Sequence, residues 1–128
     1  MPTRCLDTLF DDGLLDLPRL RVLCPDPAQM RRLLTMAVEH MRVDHQHVQH
    51  ALLRGDPLAA AQRLHHIQGA VCMLCVTGHP LVEQLDDARA ALLDDPHGRR
   101  AAQALQHVQS GLQRLDAQLH AALQALQV

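Results

Sequence analysis

At 128 residues, with 48% apolar and 20% charged side chains, the chain fits one domain large enough to bury its own core. A formal net charge of −2, with twelve scattered basic residues that are all arginine, argues against the basic face that supplies nucleic-acid affinity. No apolar run approaches the ~18 residues of a membrane span, and Phe10 is the sole aromatic residue, which leaves a core of Leu, Ala, Val, Ile and Met and an all-α class.

In chain order, residues 1 to 16 read as a tail or linker, and Asp7, Asp11 and Asp12 deny the N-terminus the pattern of a signal peptide. A cytoplasmic chain is expected, with Cys5, Cys24, Cys72 and Cys75 as free thiols. The bundle itself is expected over residues 17 to 128. Leu17 to Leu23 forms a short first helix before the break Cys24-Pro25-Asp26-Pro27. Asp26 followed by Pro27 is an N-cap with proline at the first helical position. Met30, Leu34, Ala37, Met41, Val48 and Leu52 then mark one long second helix, which Gly55 ends.

Asp56-Pro57 repeats the start signal, and Ala60, Leu64, Ile67, Val71 and Leu74 form the apolar stripe of a third helix closing near Thr77-Gly78. Pro80 opens a fourth, with Leu81, Leu85, Ala88 and Leu92 inward, and Asp94-Asp95-Pro96-His97-Gly98 makes the next turn. In the last helix Ala101, Leu105, Val108, Leu112, Leu115, Leu119, Ala122 and Leu126 alternate spacings of four and three, the seam of a left-handed bundle. Short connections between four long helices predict an antiparallel four-helix bundle with an additional short N-terminal helix.

The third helix carries the most informative chemistry. At about 100° per residue, His65 projects away from the Ile67 and Val71 stripe and toward solvent. Gly69 and Cys72 fall within about 40° of it, with Ala61 also near, so small side chains flank the imidazole. A glycine in a helix interior costs roughly 1 kcal/mol relative to alanine, and close approach of another molecule to the His65 face supplies a reason for it. A neutral imidazole is a competent nucleophile near neutral pH, and exposure lets it carry a phosphoryl group without desolvating the product. His66 points about 100° away, toward a packing or hydrogen-bonding role.

The segment His65-His66-Ile67-Gln68-Gly69-Ala70 resembles the motif of the histidine phosphotransfer (HPt) domains of multistep phosphorelays, roughly His-x-(Leu/Ile)-Lys-Gly-(Ser/Ala) within a helical bundle. The resemblance runs from Leu17 to Leu126. It implies that His65 is the phosphoacceptor and that Gln68, Gly69, Ala61 and Cys72 contact the phosphate or a docked receiver. The implied partners are response-regulator receiver domains, as donor and as acceptor. No cofactor of the chain's own is implied, and Mg²⁺ belongs to the receiver. A monomeric cytoplasmic module is expected, such as the C-terminal piece of an unorthodox hybrid sensor kinase or a free-standing relay protein. Two positions depart from the pattern. Gln68 stands where the family carries lysine, losing a charge-assisted contact, and Arg89 is a basic group on the fourth helix that partly compensates if it reaches.

Two other readings remain open. A phosphorylation-incompetent module would keep the bundle and dock receivers, with Gln68 as the mark of lost chemistry. A His/Cys metal bundle would draw on His40, His45, His47 and His50, or on Cys72 and Cys75. Neither a Walker loop, a Gly-x-Ser-x-Gly elbow nor a His-Glu-x-x-His helix occurs, so autophosphorylation with ATP and hydrolysis are not expected.

Overall fold

The computed structural model describes residues 14–126, and every regular element in it is helical. Helix α1 spans Leu17–Leu23, α2 Pro27–Leu53, α3 Pro57–Leu74, α4 Pro80–Asp94 and α5 Arg99–Leu126. The start signals act as the sequence predicts. Asp26 accepts a hydrogen bond from the Ala28 amide at 3.3 Å and Asp56 from that of Ala59 at 3.1 Å, each before a proline in the first turn. At α4 the cap is His79, whose Nδ1 accepts from the Leu81 amide at 3.1 Å.

Helix α2 stops where Gly55 adopts φ +70°, a left-handed conformation open to glycine at little cost. The Gly55 amide donates to the Leu52 carbonyl and the Asp56 amide to that of Ala51, the paired bonds that satisfy the last carbonyls of a helix. Asp56 therefore closes one helix and caps the next, which makes the α2–α3 connection short and fixes the direction of α3.

Helix α2 packs on α3 and α5, and α4 packs on the same two. Leu34, Leu64, Ile67, Leu85, Leu92 and Leu115 lie almost fully buried among them. On α5 the buried stripe differs from the predicted seam. Ala104, Gly111 and Gln118 are buried, whereas Leu105, Leu112 and Leu126 are half-buried at its edge. The cause is small side chains: a Cβ on Gly111 would lie 2.6 Å from Cδ1 of the fully buried Leu81, so α4 approaches α5 over glycine. Among the described residues no helix is long and apolar enough to cross a membrane.

The boundary of the N-terminal tail also moves. Residues 1–13 lie outside the described residues, but Leu14 and Leu15 are buried and belong to the packed fold. Leu15 bridges Cys75, the Asp16 amide donates to the Leu74 carbonyl at 2.9 Å, and that of Val76 to the Leu14 carbonyl at 2.9 Å. Buried Gln118 accepts from the Leu15 amide at 3.0 Å. Arg19 on α1 donates to the Cys72 and Cys75 carbonyls at 3.1 Å and to that of Met73. A cation thus sits on the carbonyl end of α3, where the helix dipole favours it.

Burial beneath this segment pushes the Cys75 thiol up to about 12, the charge of a Cys72 thiolate adding to the effect and Arg19 opposing it. In the unfolded chain a cysteine ionises near pH 8.5. Between those values the unfolded chain releases a proton that the folded one holds, so this contribution to stability is intact below about pH 8.5 and is lost as pH rises toward about 12. Iodoacetamide at pH 8 should accordingly alkylate exposed Cys72 long before Cys75, as peptide mass mapping would read; equal labelling of both would contradict this burial.

Candidate functional site

His65 stands on α3 with its ring exposed, directly after buried Leu64 and two positions before buried Ile67. These apolar neighbours fix the helix on the core and turn the histidine outward. Among the described residues none donates to or accepts from its ring, so both nitrogens are accessible to an incoming group. One turn on, Gly69 is exposed, and a Cβ built there meets nothing within 4 Å. The packing of the described residues does not require that glycine, in contrast to Gly111. Cys72 continues the same exposed face.

Ala61 does not join it. Its side chain is 3% exposed, so the contact expected of it with a partner is withdrawn. The wheel angle locates a Cβ correctly but not what covers it, and an alanine methyl rises too little above the backbone to stay clear of its neighbours.

Gln68 turns from the His65 face toward α4. Its Nε2 donates to Asp86 Oδ1 at 2.9 Å and to the Val82 carbonyl at 3.3 Å, and its Oε1 accepts from Arg89 Nη1 at 2.9 Å. Arg89 also pairs with Asp86 at 3.0 Å. Arg89 therefore reaches Gln68, which the sequence left open. A guanidinium lies one side chain away from the residue that replaces the lysine, held by an exposed carboxylate from which it can be released.

On the α2 side, His66 takes the hydrogen-bonding role expected of it. Its Nδ1 lies 3.1 Å from Oδ2 of Asp44, whose Oδ1 accepts from Arg63 at 3.0 Å. Asp44 is only 4% exposed. Sequence reasoning missed it, although a signal was present: the α2 stripe jumps from Met41 to Val48, and position 44 falls in the gap.

Cys75 is buried and Cys72 exposed, so the two thiols do not present a common pair to solvent. Among the described residues no three His, Cys, Asp or Glu side chains gather as a metal site, which leaves the metal-bundle reading without a ligand set there. The chain matches no family model, no curated protein and no solved structure.

Proposed function

We propose that the chain is a histidine phosphotransfer module in which His65 accepts a phosphoryl group from a receiver aspartyl phosphate and passes it to another receiver. In this reading the four long helices form an antiparallel four-helix bundle, with α1 as an added short helix. The mutual packing of α2, α3, α4 and α5 and their short connections support that arrangement. The module works in the cytoplasm as a monomer, either free-standing or within a hybrid sensor kinase.

One observation carries the proposal: an exposed imidazole, unpartnered among the described residues, one helical turn from a glycine that their packing does not need. In the reaction, the lone pair of the unprotonated ring nitrogen attacks phosphorus and the P–O bond to the receiver carboxylate breaks. The ring N–H proton stays on the phosphoimidazole or passes to water. Among the described residues the His65 ring is exposed and the space over Gly69 is open, which leaves room for an in-line approach, and solvent stabilises the product. The receiver brings its own Mg²⁺ and aspartate. Incubation with a phosphorylated receiver should place an acid-labile, alkali-stable phosphate on this chain. Receiver binding with no label in the wild type would favour the docking module.

Arg89 supplies the cationic charge in this scheme. Once His65 is phosphorylated, exchange of Arg89 from Gln68 and Asp86 to the phosphate restores a charge-assisted contact of about twice neutral strength. In a preloaded protein, Arg89→Ala should shorten the lifetime of phosphohistidine by roughly threefold or more, and Gln68→Lys in the same background should restore it. An unchanged decay in Arg89→Ala would remove Arg89 from the scheme.

A further inference from the structure

We infer that the groove between α2 and α3, on the His66 side of the molecule, binds a phosphate group carried by a small molecule or free in solution. The groove encloses about 330 Å³ and is lined by His47, Arg54, Gln62, Arg63 and His66, with two alanines beside them, a volume at the lower end of small-ligand sites. Its polar lining holds two guanidiniums, which only donate hydrogen bonds, with an amide and two imidazoles that can both donate and accept. The carboxylate beneath it, Asp44, is buried and spends one oxygen on Arg63 and the other on His66.

Because a carboxylate only accepts, Nδ1 of His66 carries a proton, and its Nε2 donates to a phosphate oxygen in the imidazolium form or accepts from a P–OH group in the neutral one. The guanidinium of Arg54, the ring of His47 and the amide of Gln62 engage no other described residue. Nearby Asp56 is turned to its own helix, capping the Ala59 amide. Asp44 offsets one guanidinium, and the charge of Arg54 has no counterpart among the described residues lining the groove. A cluster of donors around a cation, with its acceptor already consumed, matches an anion with several oxygens, and a guanidinium recognises phosphate through paired N–H donors.

The groove faces a direction about 100° around α3 from His65, so the inference is independent of the relay reading and its test needs no receiver. Inorganic phosphate and phenyl phosphate, each titrated at constant ionic strength against sodium chloride, would be followed by ¹H–¹⁵N NMR of the full chain. Saturable shifts are expected at Gln62 and at the His47 and His66 rings. Arg54→Gln should weaken binding about tenfold, whereas Arg32→Gln, at an exposed position on α2 outside the groove, should leave it unchanged. Tighter binding of phenyl phosphate would assign the site to an ester, and equal affinity to the free ion. Shifts that stay linear to about 50 mM, or equal weakening in both arginine variants, would overturn the site.

Discussion

His65→Gln should remove the phosphoryl label that a phosphorylated receiver delivers, by more than about 100-fold, while His66→Gln keeps it within a few-fold of wild type. The two substitutions are chemically identical and adjacent, so the contrast isolates the geometry. Among the described residues the exposed ring of His65 has no partner. His66 has one nitrogen committed to Asp44 and faces the α2 groove. A glutamine cannot form the N–P bond, and at an exposed helical position it costs little stability. His66→Gln gives up one hydrogen bond to buried Asp44, which keeps its pair with Arg63, a loss of about 1 to 3 kcal/mol. Circular dichroism melts of both variants would separate loss of chemistry from loss of fold. Label surviving in His65→Gln and vanishing in His66→Gln would transfer the chemistry to the Asp44-held imidazole.

Much of this arrangement is legible in the residues, because the strongest signals are local. Asp-Pro pairs and Gly55 set helix ends through hydrogen bonds within a few residues, so they act wherever the helix packs. The exposure of His65 follows from the phase of Leu64, Ile67 and Val71. What the sequence hides depends on partners distant along the chain. Gly111 carries no hydrophobic signal, yet it lets Leu81 approach and shifts the α5 stripe. Asp44 reads as a polar interruption until Arg63 and His66 are placed around it. Arg19 and Leu15 join α1 and its approach to the far end of α3 and to Gln118, 103 positions away, which no spacing rule connects. Ala61 shows the opposite failure, since its phase is right and its exposure wrong.

Gly69→Gln should stabilise the protein while slowing receiver-dependent transfer at least about tenfold. Glutamine is a better helix former than glycine by roughly 0.5 to 1 kcal/mol, and the space around a Cβ at position 69 is open, so that gain is not offset by a clash. The melting temperature should therefore rise by a few degrees. The same space is where a docking receiver must lie for its phosphoaspartate to reach His65, one turn away, and a projecting amide side chain would hold it off. Gly111→Ala provides the internal control. There the added methyl meets Leu81 at 2.6 Å, and overpacking of about 1 to 3 kcal/mol outweighs the roughly 1 kcal/mol of helix propensity, so stability falls and transfer per folded molecule does not. Thermal melts and initial transfer rates on the two variants test the argument together. If Gly69→Gln transferred at the wild-type rate, close approach over His65 would be refuted; if it melted below wild type, the glycine would be needed by the fold and would no longer point to a partner.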